Sequence, residues 1–272
     1  MKPVLKNKVV VVTGSTRGIG RAVAEACARS GASVVVSSRN ESSVAACVED
    51  FRRAGLTAAG FTADVSREVD VRVLFEKSVA AFGKIDVWVN NAGISGGYRV
   101  IQAMSPEEIK EVVATNLLGT FYACRILIPY FIDKGGGVIV NLSGRGGRLA
   151  ASPYQAPYAA SKAAVTSLTR SLAAENKGKP LSINCLFPGM VETDLYKDVI
   201  TCPETEQKVS VMPVLLKAFA SPMERVQKVA VKMCALKPGS VTGKAFSAER
   251  PERYWRALKC APDFLRAMKK PS

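Results

Sequence analysis

The chain has 272 residues, 48% of them hydrophobic and 22% charged, ordinary proportions for a globular protein that exclude a disordered, collagen-like or low-complexity chain. It contains no histidine, which removes Ser-His-Asp and Cys-His nucleophile systems and HExxH zinc sites and leaves proton transfer to Tyr, Lys, Asp, Glu or Cys. Lys and Arg outnumber Asp and Glu by 38 to 23, a net charge of +15. The basic residues are scattered and not interleaved with aromatics, so the charge suits a phosphorylated cofactor and predicts no nucleic-acid partner. No stretch approaches ~18 uninterrupted apolar residues, so no membrane-crossing helix is expected. Seven cysteines, at 27, 47, 124, 185, 202, 234 and 260, form no CxxC pair. They read as buried free thiols in a reducing compartment, with no metal site. The N-terminus has no signal-peptide pattern, and a cytoplasmic location is expected.

Short β-branched runs alternate with helical patterns. VVVVT (9–13) reads as a strand buried on both faces, followed by a helix from Arg21 to Ser30. SVVVS (33–37) is the second strand, and Asn40 caps a helix to about Ala54. TAAGFTADV (57–65) is the third strand; a helix ending at Gly83 precedes a fourth, IDVWV (85–89). Ser105-Pro106-Glu107-Glu108 is a capping box opening a helix over about 106–118, with a break near Gly119 before it continues to 133. GVIVNL (137–142) is the fifth strand, a long helix spans about 154–176, and SINCLF (182–187) is the sixth strand. Residues 190–220 read as an irregular, partly helical insertion; a helix over 225–236 and a seventh strand, VTGKAF (241–246), follow. This alternation predicts an α/β fold, a doubly wound parallel sheet with helices on both faces. Ligands of such sheets sit at the carboxyl ends of the strands, so functional residues should follow strands.

They do. Thr13-Gly14-Ser15-Thr16-Arg17-Gly18-Ile19-Gly20 bridges the first strand and helix. Gly14 allows a tight turn, Gly18 close approach of backbone to a pyrophosphate, and Gly20 packing of helix on strand, with the helix N-terminus facing the anion. A glycine pattern alone also fits an ordinary strand-helix turn; its position here favours dinucleotide binding. The second strand ends in Ser37-Ser38-Arg39-Asn40, without the carboxylate that holds the ribose 2′-hydroxyl of NAD. Arg39, beside Asn40, can pair with a 2′-phosphate, and Arg17 reaches the same region, so NADP(H) is favoured. The alternative is that Arg39 is a solvated surface arginine. Tyr158 and Lys162 lie four apart, on one helix face, where an ammonium lowers the phenol pKa from ~10. Alone this spacing is common and mostly structural.

In its setting, the sequence resembles the short-chain dehydrogenase/reductase family over about 9–246. The resemblance rests on TGSTRGIG (13–20), Asp64-Val65 after the third strand, Asn90-Asn91-Ala92-Gly93 after the fourth, Asn116, Ser143 after the fifth, Tyr158-Ala159-Ala160-Ser161-Lys162, and Pro188-Gly189 with Thr193. It implies a single-domain Rossmann-type sheet of seven strands in the order 3-2-1-4-5-6-7. It implies that Tyr158 protonates a carbonyl oxygen or deprotonates an alcohol. Lys162 would hold the nicotinamide ribose and lower the Tyr158 pKa, Ser143 would hydrogen-bond the substrate oxygen, and Asn116 would position a water in a proton relay. Asp64 and Val65 would contact adenine, Asn91, Ala92 and Gly93 would border the cofactor, and Pro188, Gly189, Val191 and Thr193 would lie beside the nicotinamide. YxxxK spacing favours C=O over C=C chemistry within the family.

The resulting expectation is an NADP(H)-dependent carbonyl reductase or alcohol dehydrogenase acting on a small-molecule ketone or secondary alcohol. Alternatives are a 3-oxoacyl thioester reductase, supported by Arg145 and Arg148 at the pocket rim, a sugar or polyol dehydrogenase, and a non-catalytic NADP-binding scaffold or sensor. Arg145 and Arg148 read first as solvated loop residues. Tyr154 reads as a pocket wall, and Met190, Leu195, Tyr196, Met212 and Leu216 as either lid or core. The resemblance suggests a homodimer or homotetramer built on the two long helices. Residues 1–248 read as the catalytic domain, with a lid at about 190–220. Residues 249–272 read as a basic amphipathic extension, bearing Tyr254, Trp255, Leu258, Phe264 and Leu265, for the pocket, a subunit or a membrane surface. The chain departs from the family in this extension. Its lack of histidine leaves the family's chemistry untouched.

Overall fold

The computed structural model describes residues 3–194 and 199–249. Seven strands, β1 (Val9–Thr13), β2 (Ser33–Ser38), β3 (Ala58–Thr62), β4 (Val87–Asn90), β5 (Gly137–Leu142), β6 (Leu181–Phe187) and β7 (Ala245–Ser247), form one sheet in the order β3-β2-β1-β4-β5-β6-β7. Every pairing is parallel, and β1 runs in register with β2 from Val9 against Ser33 to Thr13 against Ser37. The helices are α1 (Gly18–Arg29), α2 (Glu41–Arg53), α3 (Glu68–Phe82), α4 (Pro106–Val113), α5 (Gly119–Asp133), α6 (Ala156–Glu175), α7 (Glu206–Ser210), α8 (Met212–Phe219) and α9 (Met223–Cys234). This is a single-domain Rossmann-type fold.

The all-apolar strands follow from burial on both faces. Side chains alternate along a strand, so Val10 and Val12 pack with α1, α2 and α9, while Val11 packs with α3, α5 and α6 on the other face. Each fully buried valine contributes about 1.5–3 kcal/mol. A buried polar chain crosses the second face. Trp88 Nε1 donates to Asn90 Oδ1 (2.9 Å), Asn90 Nδ2 to Asn141 Oδ1 (2.8 Å), and Asn141 Nδ2 to Thr169 Oγ1 (2.9 Å). With every partner in place, this chain sets the rotation of α6, the helix that carries Tyr158 and Lys162.

Helix ends follow their sequence signals. Asn40 Oδ1 accepts from Ser43 N, the Ser105–Glu108 capping box forms, and Gly83 closes α3 with φ 77°. Three expectations need correction. No break occurs at Gly119: the helix runs from Pro106 to Asp133 through a π turn at Ala114–Leu118. Gly119 is there for contact, because a Cβ would sit 2.9 Å from Val65. This helix is long and apolar enough to cross a membrane, but half of its most apolar window is buried in the fold. The long helix starts at Ala156 and not at 154, since Tyr154 has φ 69°, a left-handed backbone no helix accepts. The seventh strand begins at Ala245. Before it, Gly243 takes φ 71° and Thr242, Gly243 and Lys244 hydrogen-bond the edge of β6 as a turn. The six described cysteines are buried and unpaired; Cys260 and the 250–272 extension lie outside the described residues, as do Leu195 and Tyr196.

Candidate active site

The strand order reverses between β1 and β4, and a cleft of about 510 Å³ opens at the carboxyl ends there. Its floor at one end is the glycine turn. Gly14 and Gly18 take φ 61° and 55°. Gly20 is demanded by its neighbours: a Cβ would lie 2.3 Å from both Gly14 O and Asn91 Nδ2. Asn91 Nδ2 donates to Thr13 O (2.8 Å) and Gly14 O (2.9 Å), and Thr13 Oγ1 accepts from the amides of Asn91 and Ala92 (3.1 Å each). The first and fourth strand ends are thereby locked together, and the α1 N-terminus is aimed into the cleft. Thr16, Arg17, Gly18, Ile19, Arg39, Asp64 and Val65 line this end.

At the other end, Lys162 is 4% exposed. Its Nζ donates to Leu142 O (3.1 Å) and lies 5.7 Å from the centre of the Tyr158 ring. Burial pushes its pKa down to about 8, against a smaller opposing effect of Cys185. Asn116 sits in the π turn, a feature frequent at functional sites. It accepts from Ile94 N (2.8 Å) and donates to Ile94 O (2.9 Å) and Ser161 Oγ (3.1 Å). It therefore staples the segment after β4 to α6. Gly93 keeps this wall close: a Cβ there would sit 3.1 Å from Asn116 Oδ1 and 3.4 Å from Lys162 Nζ. Tyr158, Lys162, Ala92, Gly93, Pro188 and Thr193 line the cleft together. A nicotinamide dinucleotide fits it: the glycine cradle faces the α1 N-terminus, and the buried Thr115 hydroxyl on the cleft wall has no partner among the described residues.

Residues 8–202 match the short chain dehydrogenase family model. The chain belongs to the short-chain dehydrogenase family. It is 34% identical to the L-fucose dehydrogenase of Oryctolagus cuniculus over 92% of this chain and 89% of that one. Identity to 3beta-hydroxysteroid dehydrogenase 1 of Eggerthella lenta is 40%, over 74% and 77%. The solved 3-ketoacyl-(acyl-carrier-protein) reductase of Brucella melitensis, complexed with NADH, superposes with a TM-score of 0.78 at 29% identity, covering 89% of this chain and 97% of that one. The short-chain dehydrogenase family uses nicotinamide cofactors, and this chain is an oxidoreductase.

Within that short-chain dehydrogenase frame, Ser143 lines the cleft beside Tyr158 and Lys162 with its hydroxyl already bonded. It is 2% exposed, and its hydroxyl bonds Lys162 O (3.1 Å) and Thr166 Oγ1 (2.8 Å), inside α6 packing. The residue whose Cβ would point at the reacting group is the next one: a Cβ on Gly144 would lie 2.7 Å from the Tyr158 hydroxyl. Ser15 is also structural, donating to Val12 O (2.6 Å) and accepting from Ser37 N (2.9 Å). Asn40 caps α2, and Gly189 and Val191 stand behind the cleft wall, Gly189 facing Ser221 and Glu249. Asn116 spends its side-chain amide on Ile94 and Ser161, which positions the segment after β4 against α6.

The rim differs as well. Arg148 pairs with Glu249 (3.1 Å), bonds Ser247 Oγ (3.1 Å) and stacks on Phe187, tying the loop after β5 to the end of β7. Arg145 is exposed. Tyr154 stacks on Tyr98 (centroids 5.4 Å apart) and bonds Lys208, joining the loop before α6 to α7. Met212 is buried in the lid, and neither it nor Met190 nor Leu216 lines the cleft. The 94–97 segment after β4 and Val199 and Ile200 of the expected lid form the cleft mouth, Tyr98 N donating to Ile200 O (2.8 Å). One contribution went unread in the sequence. Glu108, Glu111, Val112 and Thr115 of the α4 face and π turn form a side wall. Their i, i+3, i+4, i+7 spacing was the available signal.

Proposed function

We propose that the chain is an NADP(H)-dependent carbonyl reductase and secondary-alcohol dehydrogenase with Tyr158 as acid and base. The observation that carries this is Lys162: a buried ammonium one helical turn from a tyrosine, at the base of a cleft that ends in a glycine phosphate loop. When bound, the nicotinamide supplies or takes the hydride. In reduction Tyr158 gives its hydroxyl proton to the substrate oxygen, and in oxidation it takes the alcohol proton. Lys162 favours the phenolate by its charge. With the Ser143 hydroxyl bonded to Lys162 O and Thr166 Oγ1, Tyr158 steadies the developing charge by its own hydroxyl. Arg39 and Arg17, with no carboxylate on β2, support NADP(H) over NAD(H).

The relatives' names put ketones, sugars, steroids and acyl thioesters on the substrate list. A 3-oxoacyl thioester is the second reading, supported by the solved 3-ketoacyl reductase and by exposed Arg145 in the loop after β5. We also propose a cytoplasmic homo-oligomer contacting through α5 and α6, supported by half-exposed Phe121 on α5 and Leu118 in the π turn before it, and by the buried free thiols. The experiment is loss of NADPH absorbance against ketones, diketones, quinones, a keto-sugar, a 3-ketosteroid and a 3-oxoacyl thioester, with NADH in parallel. Turnover faster with NADPH is expected. Tight NADPH binding with no turnover on any substrate would replace the enzyme by a cofactor-binding scaffold.

A further inference from the structure

The end of β2 carries no carboxylate, yet the cleft has one there. Glu111 of α4 reaches across to Arg39, with Oε1 3.2 Å from Nη1. The two residues are 72 positions apart, come from opposite walls, and both line the cleft. Their side chains are 55% and 54% exposed, so neither is locked by packing and each can turn to a ligand. Glu108, Val112 and Thr115 line the same wall, which fixes the Glu111 face of the helix toward the cleft.

A ribose 2′-hydroxyl donates to a carboxylate, whereas a 2′-phosphate pairs with a guanidinium and is repelled by a carboxylate. The Arg39–Glu111 pair offers one partner to each cofactor. With a 2′-hydroxyl bound, the pair stays intact and neutral. With a 2′-phosphate bound, Arg39 is shared between the phosphate and Glu111, and Arg17 supplies the remaining positive charge. We infer that Glu111 is a specificity-determining residue. It supplies from α4 the carboxylate that β2 lacks, so the chain takes NADH as well as NADPH, with a smaller margin than Arg39 alone would set. This rests on Arg39 lying at the adenosine ribose.

The test is direct binding of NADPH and NADH, titrated by nicotinamide fluorescence, to the wild-type protein, Glu111→Gln, Arg39→Ala and Glu107→Gln. Glu107 is exposed on the same helix and pairs weakly with Lys110 at 3.9 Å, so its variant controls for the same change in net charge. Glu111→Gln is expected to tighten NADPH and weaken NADH, moving the ratio of the two Kd values by about fivefold toward NADPH. Glu107→Gln should leave the ratio in place. A ratio unchanged within about twofold in Glu111→Gln, or an equal shift in Glu107→Gln, overturns the inference. Failure of the Arg39 reading looks different: Arg39→Ala would then bind NADPH as tightly as the wild type. A wild type without NADPH preference whose ratio still moves in Glu111→Gln keeps Glu111 and overturns only the preference.

Discussion

At the Tyr158 end of the cleft, Lys162 and Asn116 are buried and each is held by backbone carbonyls or amides from other elements. At the Arg39 end, the charged side chains stand half in water and meet in one exposed ion pair. Burial makes position and pKa rigid, at a cost in stability. Exposure leaves interactions weak, about 0–1 kcal/mol, and adjustable by single substitutions. The proposed function assigns the chemistry to the first end and cofactor choice to the second. Changes at the first should therefore be large and insensitive to cofactor, and changes at the second small and cofactor-dependent.

Tyr158→Phe should produce the largest effect. Loss of about 10²–10⁴-fold in kcat with NADPH affinity kept is expected from steady-state rates and fluorescence titration. A loss below tenfold would move the proton elsewhere. Next comes Gly144. A side chain there meets the Tyr158 hydroxyl, so Gly144→Ala and Gly144→Ser should both lower kcat by about tenfold or more, with cofactor Kd unchanged. A Gly144→Ser enzyme at or above wild-type rate would show that Tyr158 tolerates a neighbour and that the bare position is no constraint. The smallest effect belongs to the exposed end. Arg39→Ala should weaken NADPH binding by about tenfold and NADH binding by less than twofold. Equal weakening of both would place Arg39 away from the 2′ position.

The same contrast explains what the sequence made legible. The glycine turn, the Asn91 anchor and the Tyr158–Lys162 pair are local patterns, each written in consecutive or helically spaced residues, and the strands between them are marked by unbroken apolar runs. The bonds of the Ser143 hydroxyl to α6 were not legible, because side chains alternate across a strand end and only the packed fold shows which partners each one meets. Glu111 went unread because its partner is Arg39, on another element, and only the packed fold brings them together. The seventh strand shrank for a similar reason: VTGKAF has strand composition, but Gly243 turns the chain beside β6, and regular pairing begins only at Ala245.

Lys162 tests the account most directly, because its burial has a consequence for stability as well as rate. Its pKa of about 8 lies below the ordinary 10.5. The folded state therefore resists holding this proton. The penalty, on the order of 3 kcal/mol, is fully present below pH 8 and is released as pH rises toward 10.5. Lys162→Met removes it. The decisive measurement is Tm and kcat of Lys162→Met beside the wild type at pH 7 and pH 9.5 (about one and a half units above the folded pKa), with Tyr154→Phe as a rim control. The account predicts a Tm higher by a few degrees at neutral pH, a gap that narrows in alkali, and a rate lost by about 10²-fold while Tyr154→Phe stays within about threefold. A Lys162→Met protein that is less stable at pH 7, or that turns over as fast as Tyr154→Phe, would contradict it.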